Sequence, residues 1–200
     1  MRGFLGLVLS TLLLIAGCGS SGSSSSDKPA QGKQDNGSAP WHDGVQPAAA
    51  ANKVGGADTA CPLPVAMDLP AKWKPVKLDA GLFRQGGLDA LCEIDAKPAG
   101  AIGFLRVFVG PAAEPRAALE TFLAAQKDPR DPRYRETAVG KGSGAEVTWT
   151  EEETGRRRAF AMSTPLKTVV MTAGSIDDSE YEQLLPAFLL AKQSLTPLER

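Results

Sequence analysis

The feature that most constrains the fold is a series of short alternating stretches in the second half of the chain, separated by only a few residues. Parallel strands need a crossover of a dozen or more residues, so strands that follow one another this closely pair antiparallel. The pattern predicts a meander of three or four strands, drawn from the stretches YRETAV, AEVTWTEE, RRRAFAMST and KTVVMTAG. The intervening turns contain GKGSG, Thr154-Gly155 and Pro165.

Further strands are predicted before the meander. VAMDL (65–69) and WKPVKL (73–78) are short extended pieces, and LDALCEID (88–95) alternates between apolar and polar residues. AIGFLRVFV (101–109) is almost continuously apolar and of strand length, which is typical of a central strand.

Two helices are predicted around the meander. The first begins near Pro115, because proline is tolerated in a first helical turn, and the prolines of KDPRDPR end it. The second is DDSEYEQLLPAFLLAKQSL, capped by Asp178 or Ser179, with Pro186 expected to kink it. The predicted class is α+β: an antiparallel sheet or meander with two main helices packed on it.

This order of elements resembles the PsbP-like fold of actinobacterial envelope lipoproteins of the LpqN/LpqT type. The resemblance covers roughly residues 63–196 and rests on FLRVFV leading into PRAALETFL, on the meander, and on YEQLLPAFLLAKQSL. It implies this fold and an envelope location. It also implies a role as a binding or assembly factor, the role in which PsbP-like domains often work.

The N-terminus predicts export and lipidation. Met1-Arg2 is followed by an apolar run over residues 4–15, which is shorter than the roughly 20 residues of a membrane-spanning helix and fits a signal peptide. The run ends in IAGC, which resembles the bacterial lipobox. The resemblance implies that residues 1–17 are removed, that Cys18 receives a diacylglycerol, and that the chain is held at the outer face of the cytoplasmic membrane. The alternative is an ordinary signal peptide with an incidental cysteine.

Residues 18–59 are predicted to be a disordered linker, because Ser, Gly, Ala and Pro dominate them and little there can be buried. Residues 60–200 are then a single domain. Trp41-His42 interrupts the polar tract, and it is either an unconstrained part of the linker or a short docking motif.

Cys61 and Cys92 are the two cysteines that remain, and in an oxidising compartment a disulfide is the simplest pairing. The alternatives are a metal pair or a redox dithiol, although no CxxC spacing occurs. A bond would close a loop of about 30 residues and add roughly 3–4 kcal/mol by the chain-entropy relation.

Composition argues against several classes of function. From Cys61 onward there are 18 Lys and Arg against 19 Asp and Glu, so a nucleic-acid partner is not expected. The one histidine, His42, lies in the predicted linker, which disfavours histidine-dependent nucleophiles and histidine-ligated metals. No cofactor or metal is expected. The acidic runs Glu151–Glu153 and Asp177–Asp178 remain possible catalytic carboxylates, with cross-strand pairing and helix capping as the alternatives.

Two features could bind a ligand. Arg130, Arg133, Tyr134 and Arg135 lie in a predicted proline-rich loop over residues 127–135, which could meet an anionic polymer or headgroup; the alternative is a rigid loop whose charges are offset by nearby aspartates. Arg106 stands in an apolar strand and needs a partner if it is buried.

The preferred hypothesis is a membrane-anchored, non-catalytic domain that binds an envelope protein, polymer or amphiphile. The alternatives are a carboxylate-dependent hydrolase of envelope glycans and an assembly subunit of a larger complex.

Overall fold

The computed structural model describes residues 39–198, which all lie in one compact unit. They form eleven strands, two α-helices and one 3-10 turn. In chain order the elements are β1 Asn52–Gly55, β2 Val65–Leu69, β3 Lys74–Lys77, β4 Arg84–Gln85, β5 Leu88–Asp95, a 3-10 turn at Lys97–Ala99, β6 Phe104–Pro111, α1 Pro115–Ala124, β7 Arg130–Val139, β8 Gly142–Glu151, β9 Gly155–Ser163, β10 Lys167–Gly174, α2 Asp178–Ser194 and β11 Thr196–Pro197.

An eight-stranded antiparallel sheet is the centre of the fold. Its order is β3-β5-β6-β10-β9-β8-β7, with β4 paired to β5. The predicted meander is confirmed, since β7 to β10 pair in sequence order, and the apolar strand β6 is internal, as predicted. The edge strand β7 carries charges, a proline and a register shift between Arg130 and Arg133, which are features that discourage pairing with another chain.

The two faces of this sheet are covered by different elements. The helix α1 covers one face through Ala118, Leu119, Phe122 and Leu123, packed against β8, β9 and β10. The core there includes Phe108, Val147 and Val170.

The other face is covered by α2 and by a small antiparallel sheet of order β1-β2-β11. Its core joins Met67 and Leu69 of β2 to Phe160 and Met171 of the large sheet and to Phe188 of α2. Both faces of the central strands are therefore buried, which explains why their sequences are almost continuously apolar. The α+β class with two packed helices is confirmed.

The predicted linker boundary at residue 59 is wrong. Residues 39–51, which we call the strap, lie against the domain, and β1 follows them and pairs with β2. The backbone N–H of Ala48 donates to the carbonyl of Pro186 at 2.9 Å, and that of Ala51 donates to Leu69 at 2.9 Å. The polar composition of this stretch indicated disorder, but the stretch is attached by main-chain hydrogen bonds, which need no apolar side chain. The predicted signal peptide, Cys18 and residues 18–38 of the linker lie outside the described residues.

Two local predictions are corrected. The cap of α2 is Asp177, whose Oδ1 accepts the N–H of Glu180 at 2.9 Å, and neither Asp178 nor Ser179 takes that place. The proline-rich stretch 127–135 is mostly strand, because β7 begins at Arg130. The prolines do end α1 near the expected residue.

The disulfide prediction is confirmed, since Cys61 and Cys92 are bonded with a Cα–Cα separation of 5.7 Å. The bond ties the segment after β1 to the middle of β5. Within residues 39–198 no helix has the length and apolar character needed to cross a bilayer.

Candidate functional site

An open cleft of about 190 Å³ lies on the α1 side of the large sheet. Two arginines from non-adjacent strands enter it, Arg106 of β6 and Arg157 of β9. The remaining lining is aromatic, polar or small, and consists of Gln85, Phe104, Phe108, Phe122, Gln126, Trp149, Glu151, Thr172, Ala173 and Gly174. We call this site the arginine–aromatic cleft.

Arg106 is held in a fixed position at one side of the cleft. Its Nε donates to Glu93 Oε2 at 3.1 Å, and its Nη2 donates to the same oxygen. Glu93 is the direct partner of Arg106 in the β5–β6 register. The guanidinium also lies 4.4 Å from the ring centroid of Phe104 and 5.2 Å from that of Phe83, within the range of cation–π attraction.

Arg157 is held at the other side. Its Nε donates to Glu151 Oε2 at 3.0 Å, and its Nη1 donates to the carbonyl of Ser175 at 2.7 Å. Glu151 also accepts from Trp149 Nε1 at 3.0 Å and from Thr154 Oγ1 at 2.7 Å. Burial by itself would raise the pKa of Glu151, but these three donors and the charge of Arg157 outweigh it and hold the pKa below its usual value.

The floor of the cleft is a chain of aromatic rings. The centroids of Phe108 and Phe122 are 5.1 Å apart and those of Phe122 and Trp149 are 6.5 Å apart, both in edge-to-face arrangement. The cleft thus combines a buried aromatic floor with two oriented guanidinium groups, each paired with one carboxylate.

A second feature is a charge cluster buried between the large sheet and α2, formed by Glu146, Arg158, Arg135 and Lys192. Glu146 and Arg158 have no exposed side-chain surface. Glu146 accepts from Arg158 Nε at 2.6 Å, from Arg135 Nη2 at 2.6 Å and from Lys192 Nζ at 2.9 Å. The strands β7, β8 and β9 and the helix α2 each supply one member.

Burial and charge act in opposite directions in this cluster. Burial would raise the pKa of Glu146, but the hydrogen bond and charge of Arg158, together with Lys192, hold it below its usual value. Burial lowers the pKa of Lys192, and Glu146 only partly offsets this. The cluster contains three cations and one anion, so its own charges do not balance.

The strap supplies a second anion. Asp43 Oδ2 lies 2.5 Å from Arg135 Nη1 and its Oδ1 lies 2.8 Å from Arg135 Nη2, while Oδ1 is 3.5 Å from Arg158 Nη2. The ring of Trp41 lies 4.2 Å below the Arg135 guanidinium, and the Trp41 carbonyl accepts from Arg158 Nη1. The hydrogen bond from Arg135 holds the pKa of Asp43 below its usual value.

Comparison with known proteins identifies a family. The sequence profile of a family described as "Uncharacterised lipoprotein" matches residues 31–195. The chain belongs to this lipoprotein family. Membership implies a membrane anchor.

No curated protein sequence matches this lipoprotein. Among solved structures, cyanobacterial PsbP (CyanoP) from Synechocystis sp. PCC 6803 is similar at a TM-score of 0.47 and 10% identity, over 72% of this chain and 97% of that chain. LpqN of Mycobacterium tuberculosis, described as involved in cell envelope biogenesis, is similar at a TM-score of 0.47 and 12% identity, over 74% of this chain and 90% of that chain. These are the two kinds of protein named by the sequence resemblance.

The binding residues expected from the sequence do not form one site in the lipoprotein. Arg106 lies in the arginine–aromatic cleft and Arg135 in the buried charge cluster on the opposite face. Arg130 is exposed at the sheet edge and pairs with Asp128 at 2.7 Å and Glu152 at 2.6 Å. Tyr134 is half-buried, and the Arg116 guanidinium lies 4.3 Å from the centroid of its ring. Arg133 is exposed.

The carboxylates considered for catalysis all have partners. Glu151 pairs with Arg157, Glu152 with Arg130, and Glu153 with Lys127 at 3.7 Å. Asp177 caps α2, and Asp178 accepts the N–H of Arg156 at 2.7 Å. The alternatives considered from the sequence hold for Glu151, which pairs across the β8–β9 hairpin, and for Asp177, which caps α2. Glu152 and Glu153 pair instead with residues at or before the start of β7, and Asp178 contacts Arg156. Among residues 39–198 no group of three or more His, Cys, Asp or Glu side chains is arranged to hold a metal ion.

Sequence reasoning missed Glu146, Arg157, Arg158 and Lys192. A signal was present for Lys192, because at helical spacing it falls on the same side of α2 as Leu184, Leu185 and Phe188. Glu146 and Arg158 alternate with apolar neighbours, which is the pattern of a strand with one polar face in solvent. The sequence of a single strand does not show that its polar face is covered by another element. For Arg157, the sequence predicts only a cross-strand pair with the acids of the hairpin, which it forms with Glu151, and gives no sign of the cleft.

Proposed function

We propose that this lipoprotein is a membrane-anchored, extracytoplasmic binding domain of the cell envelope that carries out no reaction. Cys18 bears the lipid, residues 18–38 link it to the domain, and the chain is held at the outer face of the cytoplasmic membrane. The lipobox-like IAGC and the family match support this location.

The observation that carries the binding role is the arginine–aromatic cleft. Ligand sites are concave, mostly apolar, and contain a few oriented polar groups. Among the described residues, Glu93 takes the Nε and Nη2 donors of Arg106, which leaves Nη1 for another acceptor. Phe83 is exposed and Phe104 is half-buried, and these two rings against the Arg106 guanidinium offer a surface for an alkyl chain or a planar group. The ligand class that fits is a small amphiphile with an apolar body and an anionic head.

The size of the cleft limits what it can enclose. Typical pockets for small molecules measure about 300–1,000 Å³, and this cleft measures about 190 Å³. It therefore takes the headgroup end of an amphiphile and leaves the remainder outside.

A titration of the purified full-length lipoprotein with decanoate, monitored by calorimetry below the micellar concentration, tests this function. Decanol is the matched neutral probe. Decanoate should bind at least about tenfold more tightly than decanol, because a charge-assisted hydrogen bond contributes roughly 1.5–3 kcal/mol. Arg106→Met should reduce decanoate binding to the level of decanol.

Arg130→Met is the control, since Arg130 is exposed at the sheet edge and does not line the cleft. Failure of both probes to bind, or an equal loss in the two variants, would contradict the proposed ligand class. The anchor has a separate test: Cys18→Ser should move the protein from the membrane fraction to the soluble fraction.

A further inference from the structure

The strap occupies a site whose charges do not balance without it. Arg135, Arg158 and Lys192 surround Glu146, which leaves two positive charges in excess beneath the surface. Asp43 removes one of them. Excess buried charge is costly unless it is paired, so this position requires an anion.

The recognition of the strap is specific to an aromatic and an acidic group. The Trp41 ring lies 4.2 Å from the Arg135 guanidinium and 6.0 Å from that of Arg158. The Asp43 carboxylate receives both Nη groups of Arg135, which is a bidentate geometry. His42 Nε2 lies 3.1 Å from Arg156 Nη1. Three consecutive residues of the strap therefore meet three arginines.

The remainder of the strap is held lightly. Its Ala48 N–H donates to Pro186, its Ala51 N–H donates to Leu69, and Val45 packs at the margin of the core. The Asp43 side chain is still 56% exposed. A segment held mainly by partly exposed polar contacts opens at a lower free energy than the strands of the core.

We propose that Arg135, Arg156 and Arg158 form a peptide-binding site, of which the strap is the resident and displaceable occupant. The partner is a protein segment that presents an aromatic residue two positions before a carboxylate, as Trp41 and Asp43 do. The site lies on the face of the sheet opposite the arginine–aromatic cleft, so this inference does not depend on the proposed function.

A peptide in trans tests the site directly. The probe is a fluorescein-labelled synthetic peptide, SAPWHDGVQPAAAA, which copies residues 38–51. The receptor is the full chain with Trp41→Ala and Asp43→Asn, which removes the two main contacts of its own strap. The peptide should bind this variant at least about tenfold more tightly than the wild type, because the tethered wild-type strap competes at an effective concentration in the millimolar range.

Two matched controls define the site. A peptide with Asn in place of the aspartate, SAPWHNGVQPAAAA, should bind at least about tenfold more weakly, because it lacks the charge-assisted pair. Adding Arg135→Gln to the receptor should produce a similar loss for the acidic peptide. Equal binding to wild type and variant, or no binding to a folded variant, would overturn the proposal.

Circular dichroism shows whether the variant receptor folds. If it does not fold, amide hydrogen exchange of the wild type tests whether the strap opens independently of the core. The Ala48 amide should exchange at least about tenfold faster than amides of β9 and β10 after correction for intrinsic rates, because strap release is local. Exchange at the same rate as these central strands would mean that the strap opens only with global unfolding, and the proposal would fail.

Discussion

Glu146 is the residue on which the buried charge cluster depends. It is the shared partner of Arg158, Arg135 and Lys192. Glu146→Gln leaves these three cations together with only Asp43 as a counter-charge. We expect the free energy of unfolding to fall by about 3–5 kcal/mol, the typical cost of stranding buried charge.

Lys192→Met is the informative comparison in urea unfolding. Burial already disfavours the Lys192 ammonium, and Glu146 keeps two arginine partners without it. We therefore expect a loss of at most about 1.5 kcal/mol, with the urea dependence of unfolding unchanged. A loss as large as that of Glu146→Gln would show that the cluster acts as an indivisible set.

His42 makes the stability depend on pH near neutrality. Burial lowers its pKa from the ordinary 6.5, and the charges of Arg156 and Arg158 lower it further, while Glu182 and Asp43 oppose them. The unfolded chain therefore binds a proton more readily than the folded one. The contribution of His42 to the free energy of unfolding is present above pH 6.5, the pKa in the unfolded chain. It is lost as the pH falls from 6.5 towards the lowered pKa of the folded state.

Thermal unfolding at pH 7.5 and pH 5.0 measures this effect. The wild type should lose more stability between these values than His42→Gln does. The lowered pKa values of Asp43 and Glu146 place their titration below this window, so they contribute little to the difference. Superimposable pH profiles of the two proteins would contradict the prediction.

At the scale of elements, the turn between β7 and β8 locks the sheet against the end of α2. Gly140 has a φ of +56°, and a Cβ there would lie 1.8 Å from the carbonyl oxygen of Leu195. Its N–H donates to Lys192 O at 2.7 Å. Gly140→Ala should lower the free energy of unfolding for two reasons. A left-handed backbone at a residue with a Cβ costs about 1–2 kcal/mol, and the steric clash costs roughly 1–3 kcal/mol.

Gly81→Ala is the matched control for this turn. Gly81 also has a positive φ, +86°, but no atom lies within 4 Å of its Cβ position. Gly81→Ala should cost only the free energy of the left-handed backbone, without a clash. Denaturant unfolding should therefore show the larger loss of stability for Gly140→Ala. Equal losses would mean that the backbone at Leu195 moves aside.

Elements with a strong local signal were predictable, and contacts between elements were not. The bounds of β2 and β5 agree with the sequence pattern, because alternation and length are properties of one stretch. The strands β1, β4 and β11 have four residues or fewer and carry no such signal. They form because a neighbouring strand offers them partners.

The candidate site was predictable only in part, for the same reason. Arg106 stood out because one arginine interrupts an apolar strand. Its partner Glu93 lies on another strand, and Arg157 comes from a third, so the cleft exists only after the sheet is assembled. The strap was missed because its attachment depends on arginines more than 90 residues away.

At the scale of the whole molecule, the disulfide links the N-terminal part of the domain to the main sheet. Cys61 follows β1, and Cys92 lies in β5, 31 residues later. Both are fully buried in the core that also holds Met67 and Phe188. The bond thus limits the separation of the small sheet from the large one in the unfolded chain.

Replacing both cysteines by alanine should lower the free energy of unfolding by about 3–4 kcal/mol, mainly because the unfolded chain regains the freedom of a 31-residue loop. Denaturant unfolding with and without dithiothreitol measures this loss. The reductant should destabilise the wild type and leave the double variant unchanged, since the variant has no bond between these positions. Because the bond acts on the whole chain, the wild type should lose stability in one cooperative transition. A separate early transition of the small sheet would instead mean that the disulfide holds together two units that unfold independently.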